Sequence, residues 1–290
     1  MPFLAILRHD LGMLLASWLV RIWVAAAVVV TLLLAASTWA QLPTAPMIAS
    51  LLFPWLVFPW FVVVMVLGVN PITGSRAEAL ADGFLSRPIT RYEYLLAIWA
   101  ARVAVVLGAF LLVMVPTVCV VALADRTAPD DHVTLYGIVA AMIVVALVLT
   151  LQVSLAFLMG TFLRRPLAAI VTLLFLWYPV NAVLDGFKLE AFSPISLSRA
   201  LPTLMREPRQ DRDPEAVELA LERESEELAR QTANFMRVFS GAPPEPPRKP
   251  GFFERDQFRE FSLLRVLLGY GIPTLASIGL ATWCFCRRDV

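Results

Sequence analysis

Six apolar runs constrain this chain more than anything else in it, at about residues 22–39, 47–69, 95–124, 133–163, 167–184 and 262–285. Each is close to or beyond the roughly 20 residues needed to cross a bilayer core. Inside that core no water is available to bond a free N–H or C=O, so a run of this length has to be a helix that satisfies its own backbone. Composition agrees, since 59% of the 290 residues are hydrophobic and 16% are charged, against about half and a quarter in soluble domains. The expected fold is therefore an all-α polytopic membrane protein with six transmembrane helices. Thr38-Trp39-Ala40 loosely resembles a leader cleavage site. However, the run before it is longer than the roughly 7 to 15 residues of a signal-peptide core, so it is read as a retained span. Pro54 and Pro59 lie inside the second run and predict a kink or an opened hydrogen-bond ladder there.

Between the second and third runs, residues 70–94 form a loop with two helix starts. Ser75-x-x-Glu78 and Thr90-x-x-Glu93 are both capping boxes, in which a hydroxyl and a carboxylate each satisfy an orphan N–H of the first turn. After the first box, Ala77, Leu80, Ala81, Phe84 and Leu85 recur at the spacing of a one-sided helix, with Arg76, Glu78 and Asp82 off the stripe. Arg87-Pro88 ends it, because proline lacks an N–H and disfavours helix in the residue before it. The second box opens the third run. A short amphipathic helix thus lies across the foot of two spans, where a push from a partner protein can pass into both.

The acidic amphipathic helix followed by Leu85-Ser86-Arg87-Pro88-Ile89-Thr90-Arg91-Tyr92-Glu93-Tyr94-Leu95-Leu96 resembles the cytosolic loop after the second span of ABC-2 type transporter permeases. The closing Cys286-Arg287-Arg288-Asp289-Val290 is similar to the end of that family as well. The chain departs from many members at Ala79-Leu80 and Ala97-Ile98, where they carry Gly-Thr and Gly-Lys. The resemblance implies a coupling helix that docks on a separate ABC ATPase subunit. Arg76, Glu78, Asp82, Gly83, Phe84, Leu85, Arg87, Pro88 and Arg91 are its candidate coupling residues. Arg76, Glu78 and Asp82 would present the charged face, Gly83 and Pro88 would allow close approach and the bend, and Phe84 and Leu85 would anchor it. It also implies a second permease copy or a similar permease as dimer partner, with ATP and Mg bound by the ATPase and no cofactor in this chain.

The remaining segments complete the plan. Phe3, Leu4, Leu7, Leu11, Leu14 and Leu15 share a helical face with Arg8 and His9 outside it, which predicts an N-terminal interfacial helix. From Asp185 to Glu260 there are 12 Lys/Arg and 15 Asp/Glu, half of the 24 and about two thirds of the 23 in the whole chain. This predicts a large, partly helical extracytoplasmic insertion between spans 5 and 6. Asp213-Pro214-Glu215 starts a helix there, and Pro243 to Pro247 is a stiff linker. The domains are then 1–184 with the coupling loop at 70–94, 185–261, and 262–290. Arginines 8, 21, 76, 87, 91, 164, 165, 287 and 288 fall on one side of this plan, whereas the opposite short loops carry Arg126 against Asp125, Asp130 and Asp131. The positive-inside rule places both termini in the cytoplasm of a multi-pass plasma (inner) membrane protein.

Chemistry in the chain is sparse. No G-x-x-x-x-G-K-[ST] is present, so nucleotide phosphates are not cradled in the P-loop manner. His9 and His132 fall on opposite sides, and Cys284 and Cys286 diverge on a helix. No nucleophile has a histidine at hand, so the chain is read as a transport subunit and not an enzyme; nothing suggests nucleic-acid binding. Three intramembrane polar positions are candidates. Arg102 is read as a snorkelling side chain, with a gate or substrate contact as the alternative. Gln152 and Ser154 are read as bonding a neighbouring helix, with cargo contact as the alternative. The rival to the permease reading is a non-transporting membrane scaffold whose extracytoplasmic domain binds a partner protein.

Overall fold

A computed structural model describes residues 2–69, 90–124, 133–163, 165–186, 193–206 and 263–287. The chain divides into two compact units, Met1–Arg206 with Asp256–Val290, and Glu207–Arg255. The second unit lies outside the described residues, as do the helix expected after Asp213 and the linker at 243–247.

The described residues are almost entirely helical. They form α1 (Pro2–Ala16), α2 (Trp18–Thr38), α3 (Thr44–Leu56), α4 (Trp60–Val69), α5 (Arg91–Leu123), α6 (Leu135–Phe162), α7 (Pro166–Gly186), α8 (Pro194–Met205) and α9 (Leu263–Arg287). Five helical stretches are long and apolar enough to cross a membrane: Trp18–Thr38, Thr44–Val69, Tyr92–Leu123, Leu135–Phe162 and Leu263–Arg287. This is the make-up of a membrane protein. Their outward faces carry exposed apolar residues such as Leu32, Leu33, Leu112 and Leu275, the surface that lipid covers. The fifth apolar run is the shorter helix Pro166–Asn181 within α7.

Local signals set the helix ends. Ser17 accepts from Val20 N–H at 3.3 Å to start α2, and Thr134 accepts from Gly137 N–H at 3.0 Å to start α6. At the start of α5, Glu93 reaches back to the Thr90 N–H at 3.4 Å, the capping box expected there. Of the two prolines in the second run, Pro54 is absorbed inside α3. Pro59 falls between α3 and α4, which together make one interrupted crossing of 26 residues.

The α6 helix is the centre of the bundle, touching α3, α4, α5, α7, α8 and α9. Its contact with α4 is a backbone contact made possible by small residues. A Cβ added at Gly160 would sit 2.7 Å from the Val69 carbonyl oxygen, and one added at Gly68 would collide with the Ala156 methyl. Ala156 and Gly160 are one turn apart on α6, the small-xxx-small spacing that lets membrane helices approach closely. Around this seam Phe61, Met65, Val69, Ala156, Ala169 and Leu173 are buried together.

The structure revises two expectations. In α1, Leu4 and Leu15 are exposed, and the packed stripe is Phe3, Ile6, Leu7, Asp10, Leu11 and Leu14. The inward face is rotated because α5 offers Leu95 and Ile98 to Ile6, and it includes a carboxylate. Residues 194–205, within the segment expected to lie in water, form α8 and pack on α3 and α6 with Leu197, Leu201 and Met205 buried. At its end the Met205 carbonyl accepts from Thr134 N–H at 3.0 Å, and Gly137 leaves room for the Met205 backbone.

Substitutions at two glycines separate close approach from propensity. Gly160→Leu should lower the unfolding free energy in detergent by about 1–3 kcal/mol or more, the usual cost of overpacking. Gly108→Ala, in α5 with nothing within 4 Å of the added methyl, should leave it unchanged or raise it by about 0.5–1 kcal/mol. Thermal unfolding of the purified variants reads both.

Candidate functional site

Of the candidate coupling residues, Arg76, Glu78, Asp82, Gly83, Phe84, Leu85, Arg87 and Pro88 lie outside the described residues. Arg91 opens α5, and its side chain lies outside what is described. What is described is the root of that loop on both sides, and there Arg102 lies buried.

Arg102 does not snorkel. It is 6% exposed, and its guanidinium donates from Nη1 to the Leu67 carbonyl at 2.8 Å while Nη2 stands 3.8 Å from Asp10 Oδ2. The reason for the first bond is in the sequence. A helical Leu67 carbonyl would be bonded by the N–H four residues on, but that residue is Pro71, which has none. Leu67 is in the last turn of α4, where carbonyls are orphaned and the helix dipole is negative, so a cation is the favoured cap. The second contact ties in α1. Asp10 is on the packed stripe of that helix, and burial raises its carboxyl above the usual range, with Arg102 and then His9 pulling it back down. Tyr94, two turns below Arg102 on α5, lies close enough to feel both charges. One arginine thus joins α1, the end of α4 and α5.

Ser154 and Gln152 each bond a neighbouring helix. Trp99 on α5 donates from Nε1 to Ser154 Oγ at 3.0 Å, and Ser154 donates in turn to the Thr150 carbonyl at 2.7 Å. Gln152, fully buried on α6, donates from Nε2 to the Leu56 carbonyl at 3.4 Å. Leu56 is the last residue of α3, so Gln152 serves the upper end of the break as Arg102 serves the end of α4. The structure brings Arg102 and Ser154 together with α5 through Trp99, one turn from Arg102, while Gln152 faces the break between α3 and α4. Asp10 and Trp99 were missed from sequence. Asp10 stands three and four residues from Leu7 and Ile6, an acid inside an apolar stripe, and that spacing was the available signal.

No protein-family model matches the chain, and a search among curated proteins finds no match.

Two measurements follow from the Asp10–Arg102 pair. Arg102→Leu leaves the Asp10 carboxylate without its counter-charge and the Leu67 carbonyl without a donor, so it should destabilise by about 1–3 kcal/mol. Adding Asp10→Leu should recover part of that loss, which a double-mutant cycle on detergent melts would read. The pH dependence carries an unusual sign. A carboxyl raised in the folded state binds more protons there than in the unfolded chain, so its contribution to stability increases as pH falls from the raised value towards the ordinary one. The stability of the parent relative to Asp10→Asn should therefore rise on acidification from pH ~7 to ~4, measured as the difference between the two melting curves.

Proposed function

We propose that this chain is the permease subunit of an ABC-2-like, ATP-driven exporter that crosses the membrane six times, with both termini in the cytoplasm. In this reading α7 is the fifth crossing helix. Its 21 residues reach about 31 Å at 1.5 Å per residue, and Leu167, Val171, Phe175 and Leu176 stand exposed along it, as lipid-facing residues would. Two permeases form the membrane path, and a separate ATPase docks beneath each at residues 75–93.

The observation that carries the reading is the loop itself. Residues 74–94 hold an amphipathic acidic stretch between two capping boxes and then the Leu85 to Leu96 sequence similar to ABC-2 permeases. The polar contacts at its root support it. Force on the loop enters α4 at Val69 and α5 at Thr90, and Arg102 links both helices to α1. Closure of the ATPases would tilt the loop helix and carry the second and third crossings with it, since a ligand-driven change needs an element whose two positions differ in their contacts to the partner.

Affinity purification of the tagged chain in mild detergent, with an ATPase assay on what is recovered, tests the proposal. The expected result is a stoichiometric ATPase whose substrate-dependent stimulation falls several-fold in Glu78→Ala/Asp82→Ala, with membrane insertion unchanged. Recovery of an extracytoplasmic protein and no ATPase would turn the account to the scaffold.

A further inference from the structure

The break between α3 and α4 lies at the middle of its crossing. The interrupted stretch Thr44–Val69 has 26 residues, and α3 takes up the first 13, so residues 57–59 stand at mid-depth. Three tryptophans surround this point. Trp55 and Trp60 flank the break, and Trp23 of α2 meets Trp55 edge-on at 5.7 Å between ring centroids. Trp55 and Trp60 are 6.3 Å apart, and Phe110 of α5 closes the cluster at 5.3 Å from Trp55. All three indoles are buried, and none of their Nε1–H groups has an acceptor. Gln152, whose amide nitrogen is spent on Leu56 at the break, has its Oε1 buried and without a donor.

Three buried donors and one buried acceptor left open around one point are costly, because each forfeits its solvation with nothing in return. They are also complementary to a small group that accepts several hydrogen bonds and donates one. The site has no charge to offer an ion. Among the described spans the one buried side chain that carries a charge is Arg102, already engaged by Leu67 and Asp10, and the open Gln152 oxygen repels an anion. The rim of the break reaches the lipid-facing surface at Phe58, which is 58% exposed, so an acyl chain has a way in. Breaks in crossing helices at mid-depth are places where a membrane protein tolerates irregular backbone only by lining a cavity or burying it in protein.

We propose that the break between α3 and α4 is a binding site for the head of an uncharged amphiphile, a hydroxy-ester or carboxamide, whose oxygens accept from indoles of the Trp23, Trp55 and Trp60 cluster and whose O–H or N–H donates to Gln152 Oε1. This inference rests on the helical membrane fold and not on the coupling to an ATPase.

The test uses the full chain in nanodiscs without nucleotide, with radiolabelled 1-monodecanoylglycerol as probe. Saturable binding is expected, displaced by decanamide and not by decane or decyl phosphate. Trp55→Phe and Trp60→Phe keep a ring and delete the donor, and each should weaken binding about two- to twelvefold, the worth of one neutral hydrogen bond. Three results would overturn the proposal. They are binding no greater than bilayer partition, binding indifferent to the tryptophan changes, and equal displacement by decyl phosphate.

Discussion

A carbonyl that loses its helical partner inside a bilayer has no water to turn to, and much of this bundle is arranged around that constraint. Pro71 withholds the N–H that the Leu67 carbonyl near the end of α4 would take, and Leu56 ends α3 at the break. Two buried side chains supply donors to these carbonyls, Gln152 at Leu56 and Arg102 at Leu67. The polar residues in the apolar runs are thus explained first by the backbone next to them. A charge at Arg102 costs least where it meets both a helix C-terminus and a carboxylate, and that requirement fixes α1 against α5 through Asp10.

The rest of the bundle is held by shape. Without a hydrophobic force between helices in lipid, association depends on close approach and dispersion, and Gly68, Ala156 and Gly160 permit it between α4 and α6. With α9 on another side of α6, the central helix is buried over most of its length while α2 and α9 leave broad faces to lipid. The same device recurs where Gly137 admits the end of α8.

The long apolar helices were legible from sequence because length and hydropathy act over 20 residues at a time, and the start of α5 at Thr90 follows from a capping box that acts over four. The break at Pro59 was legible as a possibility, but its choice over Pro54 was not. Either proline removes one N–H, and the side chain that meets the open end of α3, Gln152, is nearly a hundred residues away. The face of α1 was misread by part of a turn for a similar reason. Periodicity gives a stripe of leucines, yet burial was decided by what α5 presents, and Asp10 entered that face with Arg102 as its partner. The α8 helix was hidden by its surroundings, since charge density averaged over the 185–261 segment masks twelve residues that are themselves mostly uncharged, with Arg199 as the exception.

Two kinds of joint meet at the root of the 70–89 loop, and they differ in stiffness. The α4–α6 seam is backbone against backbone, and packed surfaces of that kind move together or not at all. The Arg102–Asp10 joint is a charge pair at 3.8 Å with Nε left without an acceptor, so the guanidinium can change partners without breaking a well-formed fork. A displacement entering at Val69 is therefore carried by α4 into α6, and through Trp99–Ser154 into α5, while the polar contact to α1 is the softer of the two joints. The break at mid-depth then separates the part of the second crossing that is locked to α6 through Gly68 from the part above it, α3, whose end is held to α6 by the single Gln152 bond. Motion entering at Val69 would be concentrated at the break, among the three indoles.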